Sequence, residues 1–151
     1  MKQRSLHTQF GDLTLTEVDG AITALDWIWA EVQDTSELLD EGVRQLDEYA
    51  CGTREVFDLP LRVAGSDFQR DVCAQMSAIR FGYTCTYGDI AKALGAPAQA
   101  VGGACGGNPI PIIIPCHRVM GAKGLTGFSG RGGVETKVAL LRHERAAGLL
   151  I

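Results

Sequence analysis

The stretch Asn108-Pro-Ile-Pro-Ile-Ile-Ile-Pro-Cys116-His117-Arg118-Val119 constrains this chain more than any other. Its apolar run, Ile110 to Ile114, is stopped by Pro115. Proline fixes its own φ and biases the residue before it toward extended backbone. The run is therefore expected to be a strand whose end is a rigid bend carrying Cys116. A cysteine is a nucleophile only as the thiolate, and a neighbouring base or positive charge favours that form. His117 and Arg118 stand next in line. A free cysteine is otherwise a small buried hydrophobe. Proline, cysteine, histidine and arginine in a row favour the reactive thiol, with His117 as its base.

Length and composition suit one ordinary domain, or one domain with a small N-terminal subdomain: 151 residues, 46% hydrophobic and 21% charged. No apolar stretch reaches transmembrane length, and Met1-Lys2-Gln3-Arg4-Ser5 leads into no signal-peptide core. A soluble cytoplasmic protein with no membrane partner is expected. Five cysteines (Cys51, Cys73, Cys85, Cys105, Cys116) form no C-x-x-C pair, so reduced thiols are expected and a disulfide framework is not. Only His7, His117 and His143 accompany them, without paired-ligand spacing, so neither metal nor cofactor is expected.

Charge divides the chain. Residues 1–65 hold 5 Lys+Arg against 13 Asp+Glu, net −8, whereas residues 66–151 hold 9 against 5, net +4. The break at Leu61-Arg-Val-Ala-Gly65 predicts an acidic β-rich subdomain over 1–65 and a basic domain over 66–151. Only the second half is expected to face a polyanion.

The fold class expected is mixed α/β of the α+β kind: a small N-terminal mixed or antiparallel sheet with a helix, then a mainly helical domain. Leu6–Phe10, Leu13–Val18 and Ala21–Trp29 read as strands, the last two joined by Asp19-Gly20. Asp34 and Glu37 form a capping-box pattern before Leu38, Leu39, Val43, Leu46 and Tyr49, and Gly52 ends that helix. Arg54–Leu59 reads as a further strand. Trp27, Trp29 and Tyr49 are assigned to the core or to subdomain contacts. Ser66 with Gln69 caps a helix carrying Phe68, Val72, Cys73, Met76 and Ile79.

A helix pair follows. Thr86 and Asp89 start a short helix through Ile90 and Leu94 that stops at Gly95, and a second runs from Ala98 to about Cys105. Helix, tight turn, helix is the helix-turn-helix pattern. Ala98-Gln99-Ala100-Val101-Gly102-Gly103-Ala104-Cys105 offers almost no side chain to read base edges in a major groove. So small a helix can instead approach a duplex closely, as minor-groove binding requires, with little sequence preference. Lys92, Arg118, Lys123, Arg131 and Lys137 are candidates for phosphate contacts.

Asn108, the isoleucine run and Pro115-Cys116-His117-Arg118-Val119 resemble the active-site signature of the O6-alkylguanine-DNA alkyltransferases. Phe68-Gln69, Tyr87-Gly88-Asp89-Ile90-Ala91 and Ala100-Val101-Gly102-Gly103-Ala104 extend the likeness upstream. Gly127-Phe128-Ser129-Gly130, Lys137, Leu140-Leu141 and His143-Glu144 extend it downstream. The resemblance implies a DNA repair protein that moves an alkyl group from O6-alkylguanine in double-stranded DNA irreversibly to Cys116, working as a monomer without a cofactor. It implies that Glu144 orients His117, that Asn108 ties the active-site turn to the DNA-binding helices, and that Tyr87 donates a hydrogen bond to the departing guanine. Val119, Phe128 and Ser129 are implied to line the base pocket, and Ala98, Gln99, Ala100, Gly103 and Arg118 to meet DNA. Gln99 departs from the pattern, because the family has an arginine there to fill the gap left by a flipped base. A damage-binding relative without efficient transfer is the alternative. A Cys-His hydrolase fits Cys116, His117 and Glu144 but leaves the small-residue helix unexplained, and a transcription regulator lacks readout side chains.

Overall fold

The computed structural model describes residues 1–122 and 133–146, and it divides into two compact units, Met1–Ala64 and Gly65–Ile151. Unit 1 is a three-stranded antiparallel sheet of β1 (Lys2–Thr8), β2 (Gly11–Val18) and β3 (Ala21–Asp26), packed by α1 (Glu37–Ala50). Asp19 and Gly20 both take positive φ, 48° and 78°, which gives the two-residue turn that matches strand twist. The alternating apolar residues Leu6, Leu13, Leu15, Ile22 and Leu25 meet Leu39, Leu46 and Tyr49 of α1 in the core. The helix lies close over β2, since a Cβ on Gly42 would come within 2.7 Å of Leu15.

Both outer edges of the sheet are covered. On β1, Gln3 N–H donates to the Asp34 carboxylate and Ser5 N–H to the Gln33 side chain, at 2.9 and 2.7 Å. On β3, Ile22 N–H donates to Pro60 O and accepts in turn from Arg62 N–H through its carbonyl, at 2.8 and 3.0 Å. Covering edges in this way removes a template for aggregation.

Five expectations for this unit need correction. The α1 cap is Ser36, which accepts from Leu39 N–H, because Asp34 is already used on the β1 edge. Strand β1 ends at Thr8, and β3 ends at Asp26, short of Trp29. No strand forms over 54–59: the Asp58 N–H is taken by the Gln45 side chain and Pro60 has no N–H, so pairing is confined to a single Ile22–Leu61 bridge. Trp29 is 48% exposed and stacks on His7 at 4.2 Å, so it is not core, whereas Tyr49 is buried as expected.

Unit 2 holds α2 (Asp67–Ser77), β4 (Cys85–Thr86), α3 (Tyr87–Leu94), α4 (Ala98–Gly106), a 3-10 turn (Cys116–Arg118), β5 (Val119–Met120) and α5 (Val134–His143). Thr86 and Asp89 form a full capping box on α3, and Gly95 ends it in the left-handed conformation at φ 64°. With α4 following after Pro97, the expected helix-turn-helix is formed. Ser66 caps α2 through Gln69 N–H, but the Gln69 side chain instead donates to Ala104 O on α4 at 2.7 Å. No helix among the described residues is long and apolar enough to cross a membrane.

Candidate active site

The expected strand over Ile110–Ile114 does not form. Pro109 and Pro111 have no N–H to give a ladder, and the segment coils into a buried turn closed by Ile114 N–H on Ile110 O at 2.9 Å. The Asn108 side chain supplies the missing order. Its Oδ1 accepts from Ile110 N–H at 3.0 Å and its Nδ2 donates to Ile114 O at 2.8 Å. Ile112 takes φ 71°, a conformation that β-branched residues rarely adopt, and burial of Ile110, Ile112 and Ile114 holds it there. Strain of this kind collects at functional sites. The bend after Pro115 is as expected, and it is a single 3-10 turn that carries Cys116, His117 and Arg118, all buried.

Beyond the turn, β5 pairs in parallel with β4, Cys85 opposite Val119 and Thr86 opposite Met120. This short ladder fixes Tyr87, the first residue of α3, beside the active-site segment. Tyr87 is half-buried, and Val119 is fully buried.

From α5, Glu144 reaches the same turn. His117 Nε2 lies 2.7 Å from Glu144 Oε2. Burial would raise the Glu144 carboxyl, but its bonds to His117 and Arg118 win and hold it at about 2. It is therefore an ionised acceptor, Nε2 carries the ring proton, and Nδ1 is the bare nitrogen of the neutral ring. Nδ1 is buried with no hydrogen-bond partner among the described residues. Burial lowers the His117 pKa further than Glu144 raises it, so the ring is neutral at neutral pH.

Among the thiols of this unit, burial pushes Cys105 up to about 12 and Cys85 to about 11, and it raises Cys73. Burial also raises Cys116, but Asn108 hydrogen-bonds to it and the charge of Lys137 opposes the shift. Cys116 is thus a resting thiol next in the chain to a neutral base, with the charge of a buried cation acting on it. All five cysteines are free thiols.

Two expectations fail here for one reason. Arg118, expected at DNA phosphates, is buried and donates to both oxygens of Glu144 and to Ile79 O. Lys137, another phosphate candidate, is wholly buried and donates to Val119 O at 2.6 Å. Each has left the surface to serve the interior. For Lys137 a signal existed: residues 137, 140, 141 and 144 lie at helical i, i+3, i+4, i+7 spacing, and all are buried. Gln69, the link from α2 to α4, carried no comparable signal.

The four residues of α4 expected at DNA, Ala98, Gln99, Ala100 and Gly103, are exposed, as is Lys92 on α3. A Cβ on Gly102, Gly103 or Gly106 would meet nothing within 4 Å. Glycine inside a helix costs about 1 kcal/mol relative to alanine. Packing inside the protein does not require these three, so their use points to something that approaches from outside. Pro97 gives α4 no side-chain cap, which leaves its first N–H groups without one. Phe128, Ser129, Lys123 and Arg131 lie outside the described residues. Among the described residues no group of side chains could hold a metal ion.

Residues 67–146 match the family model for the 6-O-methylguanine DNA methyltransferase DNA-binding domain, and residues 1–63 match that for its ribonuclease-like domain. A methylated-DNA–protein-cysteine methyltransferase of Mycolicibacterium paratuberculosis is 39% identical over 96% of this chain and 93% of its own length. A constitutive one of Bacillus subtilis is 41% identical over 91% of this chain and 92% of its own. The crystal structure of the Mycobacterium tuberculosis OGT in complex with DNA superimposes with a TM-score of 0.86 at 39% identity, covering 96% of this chain and 93% of that one.

Proposed function

The chain belongs to the 6-O-methylguanine DNA methyltransferase family, and we propose that Cys116 is the acceptor of the alkyl group and O6-alkylguanine in duplex DNA its donor. It is a DNA repair enzyme that transfers an alkyl group to one of its own cysteines. The observation that carries the choice of Cys116 is its place next to His117, whose bare Nδ1 is buried while Nε2 is held by Glu144.

His117 takes the thiol proton through Nδ1, directly or by way of a water, and Glu144 stabilises the imidazolium that results. The thiolate attacks the alkyl carbon in line with the oxygen it leaves. A carbon–sulfur bond forms, the carbon–oxygen bond breaks, and its electron pair stays on the guanine. The guanine anion is a poor leaving group, and a hydrogen bond from Tyr87 favours its departure. Lys137 supplies a second buried positive charge near the sulfur while the thiolate exists. The product is a thioether, from which water does not displace carbon as it releases an acyl group, so each molecule acts once.

The guanine must leave the stack to reach a buried thiol. In this reading α4 enters the minor groove on its face of Ala98, Gln99, Ala100 and Gly103, and the missing Cβ atoms let its backbone approach the sugar-phosphate edge. Val119 contributes to the pocket wall. DNA binding and transfer belong to the chain from residue 66 onward, and the protein works as a cytoplasmic monomer that associates with the nucleoid when bound to DNA.

Transfer of a labelled methyl group from O6-methylguanine duplex tests the assignment. Cys116→Ser should lose all transfer while keeping duplex affinity within a few-fold. Full transfer by Cys116→Ser, or repeated turnover by the parent protein, would contradict it.

A further inference from the structure

Arg118 is the one residue of the Cys116–Arg118 turn that the transfer chemistry leaves without a part. Its Nε donates to Glu144 Oε1 at 2.8 Å, its Nη2 to Oε2 at 3.0 Å and its Nη1 to Ile79 O at 2.6 Å. The ring of Phe81 lies 5.8 Å from its Cζ. Both carboxylate oxygens are thus held by a permanent cation, and Oε2 is shared with His117. A buried pair of this kind is often no more stabilising than apolar side chains of the same volume. Stability alone is a weak reason to keep it.

We propose that Arg118 is a positioning residue of the transfer: by holding both oxygens of Glu144 it fixes the carboxylate against Nε2, and by sharing its charge it keeps His117 neutral with Nδ1 free. The proposal rests on the reading of His117 as the base. Without Arg118, the Glu144 carboxylate would still bear on His117, and a buried carboxylate beside an imidazole draws a proton onto it. A ring already protonated at rest has no lone pair on Nδ1 for the thiol proton, and Cys116 would have to ionise to solvent.

The groups acting on His117 come from each element around it. They are Glu144 at the end of α5, Arg118 on its own turn, and Lys137 on α5. Cys116 is its chain neighbour, and the buried Cys73 of α2 acts on Cys116. Lys137 disfavours an imidazolium as Arg118 does, and its ammonium is bonded to Val119 O, whereas Arg118 is bonded to both oxygens of Glu144.

The test is the pH dependence of single-turnover transfer to the full-length protein, followed by intact mass, for the parent, Arg118→Gln and Arg118→Lys. A neighbouring charge moves a pKa by about 1–3 units. In Arg118→Gln the acid limb should therefore move up by about one pH unit or more, so that transfer falls about tenfold on that limb and recovers at higher pH. Arg118→Lys retains the cation and should keep the limb in place with a lower plateau, because an ammonium lacks the planar fork that matches a carboxylate. An Arg118→Gln limb that stays put under a lowered plateau would reduce Arg118 to a structural part and overturn the proposal. A limb that moves in Arg118→Lys as far as in Arg118→Gln would overturn it too. Nitrogen NMR of His117 in the parent protein gives a check that needs no variant to fold: a neutral ring protonated on Nε2 at neutral pH is expected, and an imidazolium overturns the proposal. Failure of the parent to alkylate Cys116 at any pH is a different result, and it strikes the reading of the site itself.

Discussion

The two units bury polarity in opposite ways. Unit 1 buries neutral groups, Ser5, Thr14, Thr16 and Gln45, and satisfies them with one another, with backbone or with polar side chains such as Gln3 and Gln33. Its ion pairs, such as Arg4–Asp40 and Arg44–Glu48, stay on the surface. Unit 2 buries His117, Arg118, Lys137 and Glu144 around a thiol. Buried neutral amides and hydroxyls that find partners specify a fold at little cost, whereas buried charges are expensive and collect where chemistry needs shifted protonation. The place where ionisable side chains go inside is therefore a better guide to the site than net charge. Among the described residues Arg118 and Lys137 are internal, so the surface offered to DNA is less basic than the sequence count.

The sharpest contrast is between two glutamates whose carboxyls both lie at about 2. Glu41 is held down by Arg44 and then Gln45 at the surface, and Glu144 by His117 and Arg118 in the interior against its burial. Breaking a buried pair costs about 3–5 kcal/mol, because the partner charge is left without compensation. Glu144→Ala should lose that much in urea unfolding and abolish transfer, whereas Glu41→Ala should change both little, its field being screened by water. Because the folded pKa of Glu144 lies below the unfolded value near 4.5, its stabilisation is present above that pH and is lost as pH falls toward about 2. Glu144→Gln should flatten the acid limb of stability over that window. Equal behaviour of the two glutamates would break the contrast.

Two primary amides make a second pair. Gln45 accepts from Asp58 N–H and donates to Asp58 O, and Asn108 does the same for Ile110 N–H and Ile114 O. Asp58 is exposed and water can replace its partner, whereas Ile110 and Ile114 are buried. An unsatisfied buried group costs about 1–3 kcal/mol. Asn108→Ala should therefore cost about 3 kcal/mol and most of the transfer rate, against about 1 kcal/mol and an unchanged rate for Gln45→Ala. Thermal unfolding and single-turnover transfer on both variants decide it.

Much of this was readable from sequence where a local rule applied. The Thr86–Asp89 box, the stop at Gly95 and the Asp19-Gly20 turn depend on residues a few positions apart, and each formed as expected. The bend after Pro115 was visible too. What misled was a competing long-range partner. Ile110–Ile114 has strand composition, but Pro111 removes a donor, Asn108 takes Ile110 N–H and Ile114 O, and Ile114 N–H turns back to Ile110 O. Arg118 and Lys137 look like surface cations until Glu144 and Val119 O are brought to them across the fold. Asp34 gave up a cap because the β1 edge claimed it.

Smaller effects are expected on α4. A Cβ on Gly103 meets no protein atom, so Gly103→Ala should stabilise the protein by about 1 kcal/mol while lowering duplex affinity. A larger side chain, in Gly103→Leu, should weaken binding further and leave reaction with free O6-methylguanine base unchanged. Unaltered duplex binding by Gly103→Leu, measured by fluorescence anisotropy, would remove the case for close approach. At Gln99, glutamine offers hydrogen bonds where the family's arginine would also stack and carry charge. Stacking and cation–π contributions are each on the order of 1 kcal/mol, so Gln99→Arg should speed transfer from duplex about tenfold and scarcely affect the free base. Equal acceleration on both substrates would place Gln99 outside the flipping step.

Intact-mass analysis with peptide mapping after incubation with an excess of O6-methylguanine duplex tests the central claim most directly. One methyl group per protein molecule is expected, on Cys116, in the unit that buries its charges, with no further gain at longer times. Methylation at Cys105 or Cys85, or substrate consumed beyond one equivalent, would contradict the account.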